Sequence, residues 1–421
     1  MGSSGPPSLR PRHRRRTGAP AAPVAPAGHG HGHGPVEPAS GRVRVLLALI
    51  LVPFALAALV GVTLTWPGDE PPPAADVGFG ERPVQGAVTA TSATSCSVDG
   101  TGTGQEPECV ALTIALQDGE APGTTIVQVL PDEPSTPSFT TGDRIVLAFT
   151  GGDPADPSSY QVRDFQRGAP MLWLAGLFAV AVVLLGRWKG LASLASLGFS
   201  FGVLLVYVLP AILAGSDPVV VGVLGAGVIM FGTLYLSHGV SARTSTAVVG
   251  TLLSLGLIGL LGSAFSAATR LTGLDADTAN LIAILGTGID ARGLLLAGVV
   301  IGALGVLDDV TVTQTSAVWE LRRANPGLGS RELYTAALRI GRDHISSAVN
   351  TLALAYAGAA LPVLLAFSVS GQSFGTLITA QDVAQEVVRT LVGSIGLVAA
   401  VPITTVIAAV VARRDDVPAV P

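Results

Sequence analysis

Charged residues are scarce in this chain. Asp, Glu, Lys and Arg make up 13% of 421 residues, against 49% hydrophobic ones. That little charge cannot coat two or three soluble domains, and a mean hydropathy of +0.58 makes lipid the solvent for most of the sequence. Aromatic residues are equally sparse at 5%. None is interleaved with the basic cluster Arg10, Arg12, Arg14, Arg15 and Arg16, which argues against nucleic-acid binding. Only two cysteines occur, Cys96 and Cys109, without the neighbouring histidines a zinc site needs. The sequence also lacks a phosphate-cradling glycine loop with its lysine, a Ser/His/Asp elbow and an HExxH helix. An ATP-driven or hydrolytic enzyme is therefore not expected, nor is a cofactor.

What is present divides the chain by composition. Residues 1–40 hold Pro, Gly, Ala, Arg and His with no apolar periodicity, so they are expected to form a disordered tail. Within them His29, His31 and His33 offer imidazoles, either as incidental low complexity or as a weak metal-binding tract. Residues 43–66 read as an uncleaved anchor helix that Pro53 can kink. Residues 67–169 are acidic and turn-rich, with strand-sized segments VQGAVTATS, VALTIAL, TTIVQVL and RIVLAF. They suit a small antiparallel β domain, a barrel, OB-like fold or sandwich, with Gly142-Asp143 marking a tight turn before the last good strand. Cys96 and Cys109 both fall in this insert and are expected to pair as a disulfide.

Residues 170–412 read as a membrane domain. Apolar runs at Met171–Leu185, Leu191–Leu213, Pro218–Leu236, Thr246–Phe265, Gly293–Ser316, Ile345–Phe367 and Leu391–Val411 make about seven spans besides the anchor, at about 20 residues per crossing. With about eight crossings, the N-terminal arginines, Arg187, Lys189, Arg243, Arg322, Arg323 and the terminal Arg413-Arg414 share one side, which should be the cytoplasm. Both termini, including residues 413–421, then lie in the cytoplasm. The β insert and the loop bearing Asp275, Asp277 and Asp290 lie opposite. The fold class is an α-helical polytopic membrane protein with an inserted extracytoplasmic β domain.

The chemistry concentrates between Ile301 and Phe367. Asp308 and Asp309 sit inside an apolar span, where an ionised carboxylate costs about 3 kcal/mol or more. On a helix Asp308 shares a face with Thr311 and Thr315, while Asp309 shares one with Thr313 and Ser316. The next span opens with Asp343-His344 and places Ser346 or Ser347 and Asn350 at helical spacing. Two readings follow. In one, Asp308, Asp309, Thr311, Thr315, His344 and Asn350 form an ion or proton relay. In the other, these groups hydrogen-bond to hold two helices together. Between the spans, SRELYTAALRIGRD is an amphipathic helix, capped by Ser330, that should lie on the cytoplasmic interface. Glu386 and Arg389, at i and i+3, are expected to pair.

GALGxLDDVTVTQ, the E-L-x-x-x-N-P turn, I-G-R-D-H, N-T-L-x-L-A-Y-x-G-x-x-L-P and EVVRTLVGSIGLVAAVP closely resemble the YibE/F family of bacterial membrane proteins, over about Val77 to Ala412. The resemblance implies a multi-pass protein of a bacterial cell membrane and no assigned activity. The span ending in Glu320 and Arg323, followed by an amphipathic helix and a polar helix start, is more faintly similar to the SecD/SecF half of the RND superfamily. There a membrane Asp belongs to a proton path driving export. The reading is thus an ion-gradient-coupled transporter or export-assisting protein whose partner is the lipid bilayer. The rival reading is a membrane-anchored scaffold or sensor whose β domain binds a cell-envelope protein.

Overall fold

A computed structural model describes residues 2, 40–68, 81–96, 108–285, 288–369, 371 and 373–415. The expected disordered tail and its His29, His31 and His33 lie outside the described residues. So do residues 416–421.

The first helix, α1 (Gly41–Leu64), leads to a sheet of five strands: β1 (Arg82–Ser95), β2 (Glu108–Leu116), β3 (Thr125–Pro131), β4 (Arg144–Phe149) and β5 (Tyr160–Phe165). All neighbours are antiparallel, in the order β3-β2-β1-β4-β5. Alternation decides the buried face: Leu112, Ile114 and Leu116 of β2 point inward with Val84, Val88, Ile126, Ile145 and Leu147. Burying each such side chain stabilises by roughly 1.5–3 kcal/mol. The sheet curls at Gly86, where a Cβ would stand 2.6 Å from Ile114 and 2.8 Å from Leu147. A register shift between Val88 and Ala90 adds to the bend. The result is a half-barrel, not a closed barrel or sandwich. Its edges β3 and β5 are not paired with each other; Gln128 Nε2 of β3 donates to Pro157 O, just before β5, at 2.5 Å.

Two features of this domain match the sequence reading and one corrects it. Cys96 and Cys109 form a disulfide, with Cα atoms 5.2 Å apart, joining the end of β1 to the start of β2. Gly142 takes φ +100° in the turn before β4, and Asp143 Oδ2 accepts from Thr140 N at 2.7 Å. That strand is not the last, because β5 follows it.

After the sheet come α2 (Gly168–Val203), a π-helical turn at Leu204–Val208, α3 (Leu209–Leu213), α4 (Pro218–His238), α5 (Ala242–Ala268), α6 (Ala276–Leu285), α7 (Ala291–Ala324), α8 (Ser330–Ala359), α9 (Leu361–Val369), α10 (Phe374–Thr379) and α11 (Gln381–Arg414). Among the described residues six helical stretches are long and apolar enough to cross a membrane: α1, α2 through α3, α4, α5, α7 and α11. The second of these is 46 residues long and is broken at Arg187, whose φ is 53° and ψ −129°. A Cβ on Gly190 would stand 2.3 Å from Val182 O. Residues eight apart on a straight helix are separated by about 12 Å, so the chain doubles back here, between the two apolar runs seen in the sequence.

The segment after α7 differs from expectation. SRELYTAALRIGRD is not a separate interfacial helix; it is the first half of the 30-residue α8, continuous with the apolar residues that follow. Leu333 and Ala337 are fully buried, and Gln314 Nε2 of α7 donates to Ala337 O at 2.8 Å. The apolar stripe is covered only in part: Leu333 and Ala337 pack into the core of the bundle, and Ile340 stays exposed. The cap is Gly329, not Ser330, and Glu332 Oε2 accepts its N–H at 2.8 Å. The helix stops at Ala360, and Pro362 lies in the first turn of α9, where its missing N–H costs no helical bond.

The central helices α5, α7 and α11 pack closely because small residues allow it. A Cβ on Gly396 would stand 2.1 Å from Ile258 Cγ1, and one on Gly250 2.4 Å from Thr404 Oγ1. Contacts between helix ends sort these ends into two groups. At one end Ser40 N donates to Asp415 Oδ1 at 2.8 Å, and Tyr235 meets Ser245 and Ser196 meets Ser237 at 3.0 and 2.7 Å. At the other, Thr65 meets Tyr207 at 2.6 Å and the Gln381 amide meets Thr272 Oγ1 at 3.0 Å. Arg243 and the Arg413-Arg414 pair fall at the first end; Asp275 falls at the second.

Candidate functional site

In α7 the sequence DDVTVTQTS introduces polar side chains into an otherwise apolar helix, and the backbone disposes of most of the hydroxyls. Thr315 Oγ1 donates to Thr311 O at 3.0 Å and Ser316 Oγ to Val312 O at 2.7 Å. Thr311 Oγ1 lies 3.2 Å from Asp308 O. Bonds of this kind let a hydroxyl be buried without a partner on another helix. One contact crosses: Thr251 of α5 meets Thr311 at 2.8 Å, with both residues fully buried. Thr311 therefore does take part in holding helices together, while the Thr315 hydroxyl is spent on its own helix.

The two carboxylates part company. Asp308 is half-buried on the face that carries Thr311. The Thr233 hydroxyl of α4 meets its side chain, yet Oδ1 is buried with no hydrogen-bond partner. A carboxylate oxygen so placed is costly to leave ionised and unpaired. Asp309 is on the other side of α7, lining a cavity of about 440 Å³ between α7, α8 and α11. Thr313, Gln314, His344, Ser347 and Thr351 share that lining.

Sequence reasoning paired Asp308, Asp309, His344 and Asn350 as facing stripes. The structure brings Asp309 and His344 to one cavity and turns Asp308 toward α4 and Thr311 toward α5. Asn350 is exposed and outside this lining. Thr351 and Gln314 are the polar residues that the sequence reading passed over. Counting one and two turns along a helix from His344 gives Ser347 and Thr351, so the signal for Thr351 was present.

A larger cavity of about 770 Å³ lies between α6, α8, α9 and α11, with Asp275, Tyr356, Asp382, Glu386 and Arg389 among its walls. Arg389 Nη1 donates to Glu386 Oε1 at 2.6 Å, the pairing expected from their spacing. Sequence spacing alone does not connect Tyr356 and Asp382 to this pair. Tyr356 arrives from α8, whose continuity the sequence did not reveal.

Comparison with known families settles the kinship. The profile of the YibE/F-like protein family matches residues 174–414. The chain belongs to the YibE/F-like family. The matched stretch starts inside α2 and takes in every helix from there to the end of α11, so both cavities of this YibE/F-like protein lie within it and the half-barrel lies outside. No curated protein matches the chain. No solved structure does either.

Proposed function

We propose that this YibE/F-like protein is an ion-gradient-coupled transporter or export-assisting protein of a bacterial cell membrane. The observation that carries the reading is the divided carboxylate pair. Oδ1 of the half-buried Asp308 is out of contact with water and has no hydrogen-bond partner, and the next residue, Asp309, faces a cavity shared with His344. Helix glue accounts for Thr251 and Thr311; it does not account for the buried, unpartnered carboxylate oxygen of Asp308 in an apolar helix, a costly arrangement that marks ion and proton pathways.

The chain makes about eight crossings in this reading. The break at Arg187 supplies two from one helical stretch, and α8 supplies another by running antiparallel along α7. Both termini are cytoplasmic, on the side of the arginine-bearing loops. The half-barrel is extracytoplasmic, where its disulfide is stable. The alternative, a scaffold or sensor binding a cell-envelope partner, is favoured by the unpaired edge strand β3 with its half-exposed Val127 and Val129.

The test is proton movement in proteoliposomes loaded with a pH-sensitive dye. Imposing gradients of Na⁺, K⁺ or Mg²⁺ should drive a protein-dependent pH change that Asp308→Asn abolishes and Asp309→Asn affects less. No protein-dependent change under any of the gradients would overturn coupling to protons.

A further inference from the structure

The two cavities follow each other along the same pair of helices. On α8, the smaller cavity takes residues from His344 to Ala355 and the larger one residues from Ala353 to Ala360. On α11, the smaller takes Val401 and the larger Asp382 to Leu391. The first thus lies toward the end of the bundle marked by Gln314 and Ala337, the second toward the end marked by Thr272 and Gln381.

Two side chains one turn apart on α8, Leu352 and Tyr356, stand where the two linings overlap. Leu352 is 8% exposed and packs on Gly393, where a Cβ would stand 3.6 Å from Leu352 Cδ2. The Tyr356 hydroxyl reaches across to α7, and a Cβ on Gly302 would stand 3.1 Å from it. Leu352 belongs to the wall of the first cavity and Tyr356 to that of the second.

We propose that the two cavities are the vestibules of one cation-selective route along α8, held shut between them by Leu352 and Tyr356. The charge on the walls sets the selectivity. Asp309 stands in one vestibule; Asp275, Asp382 and Glu386 stand in the other, where Arg389, the basic side chain of that lining, is tied to Glu386. Carboxylates in a low-dielectric cleft concentrate cations and repel anions. The route rests on the transport reading and deepens it by naming the charge class carried and the residues that close the path.

Thiol accessibility tests the route without requiring transport. Cys96 and Cys109 are bonded to each other, so a cysteine introduced into the full-length protein is the reactive thiol. Ser347→Cys probes the smaller vestibule and Ala360→Cys the larger. The probes are membrane-impermeant methanethiosulfonates carrying a trimethylammonium or a sulfonate group, added to either face of proteoliposomes and normalised to a small free thiol. Each cysteine should react from one face only, the two from opposite faces, with the cationic reagent favoured about 10-fold or more, the lower bound for focusing by a charged cleft. Adding Leu352→Ala and Tyr356→Ala should open Ser347→Cys to both faces; if that pair lowers folded yield, Tyr356→Ala alone is used. Reaction from both faces with Leu352 and Tyr356 intact overturns the proposal. So does reaction from neither face, equal rates for the two reagents, or one-faced reaction that persists in the opened variant. Loss of ion coupling with this labelling pattern intact would fail the transport reading alone.

Discussion

Removing the disulfide is the perturbation whose size follows most directly from the fold. Cys96 and Cys109 are 13 positions apart, and a loop of that length confers about 3 kcal/mol by restricting the unfolded chain. The bridge stands beside the register pairs Thr94 with Cys109 and Ser95 with Glu108, so it clamps the open end of the β1–β2 ladder. In Cys96→Ser/Cys109→Ser that end must be held by strand pairing alone. Cys109 is also buried, at 3% exposure, and a serine there leaves a hydroxyl in an apolar site, which adds to the cost. For a domain of about 60–100 residues, 1 kcal/mol lowers the melting temperature by about 4–8 °C, so the loss predicts a fall of roughly 12–24 °C in the transition of the half-barrel. Thermal unfolding of the full-length variant, read by proteolysis between Arg82 and Phe165, measures it. A fall of only a few degrees, or two free thiols in unreduced wild type by mass spectrometry, would refute the reasoning.

Further outcomes follow from other parts of the structure. Gly396→Ala forces a methyl against the buried Ile258 and should cost about 1–3 kcal/mol, less the helix preference of alanine, read as a lower melting temperature; a stabilised variant would contradict this. In a background without Cys96 and Cys109, Ser330→Cys should label only from the cytoplasm and Asp277→Cys only from outside; outside labelling of Ser330→Cys would remove the topology. In the half-barrel the Arg167 guanidinium beside Asp164 holds that carboxyl below its ordinary value, so whatever stability it contributes is present above about pH 4 and lost as the pH falls through the depressed value. Asp164→Asn should therefore flatten the acid side of the melting-temperature profile, and an unchanged profile would show that the pair contributes nothing.

The parts of the fold that were legible are those governed by one strong signal. Hydropathy located the long apolar helices, and one-sided arginines anticipated the two groups of helix ends that contacts reveal. The i, i+3 spacing of Glu386 and Arg389 gave their ion pair. About five strands are expected in the insert and five are present, but the place of β5 is not legible, because YQVRDF sets Gln161, Arg163 and Asp164 among its apolar residues, as an edge strand with one wet side can. In the amphipathic half of α8 the stripe of Leu333, Ala337 and Ile340 says only that something apolar covers it, not whether lipid or another helix does; Leu333 and Ala337 meet helices and Ile340 stays exposed. Asp308 and Asp309 were recognised as costly, but which neighbour each one faces depends on how α7 rotates against α4, α5 and α8. Nothing in local spacing specifies that rotation, so their separation emerges only from packing.

The most direct test of the divided carboxylate pair compares Asp308→Asn with Asp308→Leu, and the same two changes at Asp309, for membrane yield, melting temperature and complementation of a deletion strain. Asn keeps the size and much of the hydrogen bonding of Asp while removing its exchangeable charge. If Asp308 relays protons, Asp308→Asn leaves yield and melting temperature near wild type and abolishes complementation. Full complementation by Asp308→Asn at normal yield, with only Asp308→Leu impaired, would contradict the relay and leave Asp308 as a structural contact.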